Sequence, residues 1–274
     1  MSINLDIVID SPEPAIDMKA GLDTLQGVSE ATRYIAETLL TDRLVQRQSH
    51  KSKVRTKLKQ SFRGSYGHVF SLEIYDEELK SKFNRIGREI FSEIMSYFIS
   101  ESLYLESENL SDKAQKIIDK LGDVSENLIK QLRISSLENI HEVSRKFNHN
   151  VVVNYRKSIN KKTIIAKFDK TTAKALEAKE SDKKVILTVS INRLNIFTGN
   201  GRLLIKGEDE TVAFGFGIKY VEVRLEAKKK FSENLDHNNG LDREKWKYLK
   251  IEVRPIELRD GKIIKYIVTG IYNE

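Results

Sequence analysis

After Lys184 the chain changes its period. “VILTVSINRLNIF”, “RLLIKG”, “TVAFGFG”, “YLKIEVRPIEL” and “KIIKYIVTGI” follow one another, parted by “TGNG”, “EDE”, “NNGLDREK” and “RDG”. Runs rich in β-branched residues between Gly, Asn and Asp turns read as strands, and Asp260-Gly261 between the last two marks a hairpin tip. Five such strands and one helical stretch, the second half of “VEVRLEAKKKFSENL”, in about ninety residues predict a small barrel-like β domain of OB or SH3-like proportions.

Ahead of that region lies “KESDKK” at 179–184, charge-dense and without apolar residues. It divides the chain into an α+β domain at 1–178 and a β-rich domain at 185–274. The first domain opens on Ile3, Leu5, Ile7 and Ile9 alternating with polar residues, the pattern of a half-buried strand. Beyond Pro14, the residues Met18, Leu22, Leu25, Val28, Thr32, Ile35 and Leu39 form one helical stripe. Gly21 and Gly27 weaken that helix but would let it lie close on a sheet. Two alternating runs, “KVRTKLKQSF” and “HVFSLEIY”, flank “RGSYG” and read as a hairpin. The glycine cluster is neither G-x-S-x-G nor a P-loop, because no helix and no Lys-Ser/Thr pair follow it. From Asp76 to Phe147 the period is helical. It divides into one long helix through Leu103, a second opened by Ser111, and a third over Leu137–Phe147. Two short strands, “NVVVNY” and “NKKTIIAKF”, and a short helix at 170–178 complete the α+β domain.

Composition narrows the chemistry. The chain has no cysteine, which excludes disulfides, thiolate catalysis and cysteine-ligated metals. No run approaches the ~18 apolar residues of a membrane helix. The start lacks the basic and apolar regions of a secretory leader, so a cytoplasmic location is expected. Of the histidines His50, His68, His141, His149 and His237, no two stand three or four apart, and all read as surface or capping residues. No nucleophile–base–acid order is evident, the paired carboxylates lie in polar turns, and neither cofactor nor metal is expected.

Charge is more informative. The net charge is +7, and the cations are blocked. Asp42 to Arg63 is one basic stretch and Tyr155 to Lys174 another, with a mainly acidic stretch at 101–126 between them. In the first, Lys53, Arg55, Lys57 and Lys59 alternate with Val54, Thr56 and Leu58. On a strand they would stand in a row about 6.6 Å apart, twice the rise per residue, near the spacing of successive phosphates. Arg63 extends the row, and Phe62 and Tyr66 lie close enough in sequence to stack on bases. Edge protection or pairing with Glu73 across the hairpin would also account for the row. In the β-rich domain Arg193, Asn200 and Arg202 flank the “FTGNGR” turn as a second candidate face. Phe214, Phe216, Trp246, Tyr248 and Tyr266 would be either stacking platforms or core there.

The strand “LDIVID”, the long helix, the basic strand and the “GSYGHVFSLEI” hairpin, together with “GNGRLLI…VAFGF…KIEVRPIELRDGKIIKYIVTGI”, resemble a bacterial two-domain family of unknown function. In that family an N-terminal α+β domain precedes a C-terminal β-rich domain. The resemblance covers most of the chain and rests on glycines and alternating apolar positions. It implies no catalytic residues, and a setting in mobile or phage-defence gene clusters. The expectation is therefore a non-enzymatic binding or regulatory protein, part of a multi-protein antiviral system, that meets an anionic partner such as nucleic acid through its basic hairpin. An oligomeric scaffold subunit with protein partners, and an enzyme without a recognisable motif, are the alternatives.

Overall fold

The computed structural model describes every residue except Met1, Pro14, Gln48, His50, 63–65, Glu108, Asn109, Ile159, Asn273 and Glu274. The chain divides into two compact units, Met1–Leu176 and Glu177–Glu274. The first is α+β and the second a closed five-stranded barrel. No helix among the described residues is long and apolar enough to cross a membrane.

In the first unit β1 (Ser2–Asp10) leads through α1 (Met18–Thr41) to the hairpin strands β2 (Val54–Phe62) and β3 (Tyr66–Ile74). The helices α2 (Glu77–Ile86), α3 (Arg88–Ser102), α4 (Asp112–Leu121), α5 (Asp123–Ile134), α6 (Ser136–Ile140) and α7 (Glu142–Phe147) follow. β4 (Asn150–Arg156), β5 (Lys162–Phe168) and α8 (Lys170–Leu176) close the unit. The sheet order is β2-β3-β1-β4-β5, with every neighbouring pair antiparallel. β3 thus inserts between β1 and β2, a split strand–helix–strand unit. The alternation of Ile3, Leu5, Ile7 and Ile9 turns those side chains to one face. There they join Phe70, Leu72, Val151, Val153 and the apolar stripes of the helices in one core.

The helical periodicity gives the right residues and the wrong lengths. The expected long helix breaks at Gly87 (φ 88°) and the second at Gly122 (φ 51°), backbone values that favour glycine. The third divides at His141. Two expectations for α1 are corrected. Met18 and Leu22 are exposed rather than part of the buried stripe, since the helix starts only at Met18 with Asp17 as its cap. Gly27 allows close approach not to a sheet but to α6, where a Cβ would meet Ser136 O and Ile140 N at 2.6 Å. Pro14, read as belonging to the first turn, lies outside the described residues.

The second unit begins with β6 (Lys179–Glu180), a short strand within the stretch read as a break, which pairs with β10. β7 (Val185–Leu194), β8 (Gly201–Ile205), β9 (Thr211–Phe216), α9 (Leu225–Asn238), β10 (Leu249–Glu257) and β11 (Ile263–Ile271) follow. The barrel closes in the order β7-β8-β9-β11-β10-β7, with β9 and β11 parallel and the other pairs antiparallel. That closure, with a helix between the third and fourth strands, is the OB-type arrangement. α9 inserts Phe231, wholly buried, against Phe214 and Phe216, with ring centroids 5.4 and 5.1 Å away. Asn234 fixes the helix by accepting from Ile191 N (2.8 Å) beside the β7 bulge and donating to Lys247 O (3.0 Å). Lys247 O accepts from Asn238 Nδ2 as well (2.8 Å), so two asparagines of α9 tie the helix to the segment before β10.

Candidate functional site

The face of the first sheet opposite the core carries the basic row. β2 is an edge strand, and Arg55 and Lys57 stand opposite Glu73 and Ser71 of β3. The expected period-two row does not run its full length. A bulge between Leu58 and Gln60 makes Lys59 an extra residue, and past it Gln60 and Phe62 occupy the outer face. Lys53 precedes the strand, with its carbonyl accepting from Tyr75 N at 2.8 Å. Arg63, and the Gly64-Ser65 part of the bend, lie outside the described residues. Phe62 packs over Gly67, whereas Tyr66 turns to the core face and meets His68 edge-on at 4.7 Å. The two aromatics therefore do not share a face, because their register positions have opposite parity.

The cations of β2 converge on one carboxylate. Lys59 Nζ lies 2.7 Å from Glu73 Oε1 and Lys57 Nζ 3.1 Å from Oε2, while the Tyr75 hydroxyl donates to Oε2 at 2.9 Å. The hydrogen bond from Lys59, with those from Tyr75 and Lys57, holds the Glu73 carboxyl down to about 2. Arg55 and Lys57 also lie over the Tyr75 ring, at 5.4 and 5.3 Å. Pairing across the hairpin is thus present, yet one carboxylate faces Arg55, Lys57 and Lys59 together, and all three remain exposed.

Sheet order brings the second basic stretch onto the same face. Lys162 and Lys167 of β5 and Arg156 of β4 point outward with Ile164, opposite the core-facing Phe168. They enclose Asp6, a fully buried carboxylate at the centre of the face. Arg156 Nη1 is 3.0 Å from Asp6 Oδ1, Lys162 Nζ is 2.7 Å from Oδ2, and that ammonium also lies 4.9 Å over the Phe62 ring. Long side chains from the flanking strands thereby lie across small polar residues of the central ones, Asp6, Ser71 and Asn154. No residue of this face belongs to the core shared with the helices. The face is an open sheet surface with Arg55, Lys57 and Lys59 at one side and Lys162 and Lys167 at the other.

On the barrel, Arg193 and Arg202 are register partners across β7 and β8. Arg202 is committed to Thr211, donating to its hydroxyl (2.8 Å) and its carbonyl (2.7 Å). Asn200 accepts from Lys265 Nζ at 3.2 Å, and both side chains lie over Gly215, where a Cβ would displace them. Lys265 went unnoticed in the sequence because the parallel β9–β11 pair that brings it there joins segments fifty residues apart, as in Lys265↔Ala213. The turn exposes Ile196 and Phe197, while Phe214 and Tyr266 are core. Trp246 donates to Leu241 O at 2.9 Å, and Tyr248 lies beneath Lys206.

Among the described residues the histidines do not gather into a site, and His50 lies outside the described residues. His141, expected at the surface or in a cap, is fully buried, with Nδ1 donating to Leu137 O (2.7 Å) and Nε2 2.9 Å from Thr172 Oγ1. Burial also lowers the His68 imidazole. Among the described residues no group of His, Asp and Glu side chains is placed to hold a metal ion. No family model, curated protein or solved structure matches the chain.

Proposed function

We propose that the protein is a non-enzymatic nucleic-acid-binding protein whose first unit holds a single strand across the open basic sheet face. The observation that supports this is the meeting of two sequence-distant basic stretches on one uncovered sheet surface, around carboxylates too few to neutralise them. Exposed ammonium and guanidinium groups recognise a phosphate backbone without reading sequence, and the binding that results weakens with salt. The outer barrel face beside Asn200, Arg202 and Lys265 is a second contact of the same kind, since an OB-type barrel presents its second and third strands and adjoining loops to oligonucleotides.

The reading is tested by fluorescence anisotropy with a labelled oligothymidylate across a salt series. Log affinity should fall with log salt by about 0.7 per phosphate contacted. The triple variant Arg55→Gln, Lys57→Gln, Lys167→Gln should weaken binding at least tenfold and flatten the slope by about 2, as expected for three lost contacts. Arg156 and Lys162 are left in place because Asp6 needs them. Binding that ignores salt, or that the triple variant leaves unchanged, excludes the sheet face.

A further inference from the structure

A second concave site lies in the first unit, formed by helices alone. α2 and α4 carry the same spacing on facing sides: Lys82-x-x-Arg85-Ile86 on one, Lys113-x-x-Lys116-Ile117 on the other. In a helix, positions i, i+3 and i+4 share a face, so each helix presents two cations and an isoleucine together. The two stripes border one groove of about 560 Å³, floored by Ile86, Ile117 and Leu39 of α1. That volume lies within the range of small-molecule sites.

Part of this charge has a structural use. Lys82 Nζ donates to Leu40 O at the end of α1 (3.1 Å), Lys113 Nζ to Arg85 O at the end of α2 (2.6 Å), and Lys120 pairs with Asp42 (3.0 Å). Arg85 and Lys116 remain, exposed and without an ion-pair partner among the described residues. Like charges at i and i+3 repel, and here two such pairs face each other across an apolar floor. Lys82 and Lys113 serve the helix ends and Asp112, four residues before Lys116, offsets part of the repulsion, whereas an anion between Arg85 and Lys116 would relieve the rest.

The lining also selects the ligand. It contains no aromatic ring on which a base could stack, and no amide, hydroxyl or imidazole to read a base edge. Two carboxylates also border the groove, Asp42, which Lys120 pairs, and Asp112, but the cations Lys82, Arg85, Lys113, Lys116 and Lys120 outnumber them. Aliphatic side chains below and a net cationic rim above suit a ligand with a hydrocarbon body and an anionic head. We propose that the groove binds a free anionic amphiphile, an alkyl carboxylate or alkyl phosphate of medium chain length. Arg85 and Lys116 hold its head, and its chain lies on Leu39, Ile86 and Ile117. This site is independent of the sheet face.

Calorimetric titration of the full chain with decanoate and with decyl phosphate, both below their micelle concentrations, tests it. Saturable binding with one site per chain is expected for at least one of them. Arg85→Gln with Lys116→Gln should weaken it at least tenfold at an unchanged melting temperature, while Arg55→Gln with Lys57→Gln on the sheet face should leave it within twofold. If the groove variant proves unstable, methyl resonances of Leu39, Ile86 and Ile117 in the unaltered chain, shifting on addition of the anion, report the same contact. The proposal is overturned if neither anion saturates, if decanol or ATP binds equally well, if only phosphatidylglycerol vesicles bind, or if the sheet-face variant loses as much affinity as the groove variant.

Discussion

His141 shows what burial does to a single ionisable residue. With Leu137 O accepting from Nδ1, the ring is the neutral Nδ1–H tautomer, and Nε2 is left to accept from Thr172. Burial holds its pKa down to about 4, with Arg145 adding to the effect and the Leu137 hydrogen bond opposing it. The unfolded chain titrates near 6.5, so between these values the unfolded state binds a proton that the native state does not. Stability from this group is therefore complete above pH ~6.5 and is lost as pH falls toward 4, by on the order of 3 kcal/mol. Urea unfolding at a series of pH values should show that slope, and His141→Asn should flatten it. A slope unchanged in the variant would remove His141 as its cause. Nothing in “NIHEVS” signals this burial, because the residue lies between two short helical segments whose packing only the tertiary fold creates.

At the scale of the element, glycines decide where α1 and its neighbours go. Gly27 and Gly21 look alike in sequence, six apart on one helix. A methyl group on Gly27 would press on the α6 backbone, which cannot yield locally, whereas at Gly21 it would meet only the Ile16 side chain. Gly27→Ala should therefore cost about 1–3 kcal/mol despite the gain in helix propensity. Gly21→Ala should be neutral or slightly stabilising, by up to about 1 kcal/mol. Thermal melts of the two variants decide the matter, and equal destabilisation would refute the close α1–α6 packing. The strand of the candidate site follows a similar logic. Alternation from Lys53 to Lys59 marks β2 as a strand with a basic face, but the Leu58/Gln60 bulge ends the alternation at Lys59, whose ammonium still reaches Glu73 beside Lys57. A bulge depends on the register between two strands, and one strand's sequence does not contain it.

For the whole molecule, the barrel follows closely from its sequence. Its strands are rich in β-branched and apolar residues and its turns carry Gly, Asn and Asp, although closure rests on the distant β9–β11 and β7–β10 pairs. The unit Glu177–Glu274 has its own core around Phe214, Phe231, Ile251 and Val268. Expressed alone, it should unfold in one cooperative transition, seen as coincident near- and far-ultraviolet circular dichroism melts. A broad transition without near-ultraviolet signal would show that this core is insufficient. Alternation of apolar residues reports a side chain's face within its own strand, so strand identity, helix stripes and the basic character of β2 could be read from the chain alone. Which strands become neighbours depends on contacts between residues far apart in the chain, as where Leu5 of β1 lies opposite Tyr155 of β4. That pairing put Lys162 and Lys167 on the same face as Arg55 and Lys57, and buried Asp6 between Arg156 and Lys162. It also set two cationic helix stripes across one groove, one of them, on α4, within the mainly acidic stretch 101–126. Local periodicity is a property of consecutive residues, whereas a binding surface is assembled from residues that only the packed fold makes adjacent.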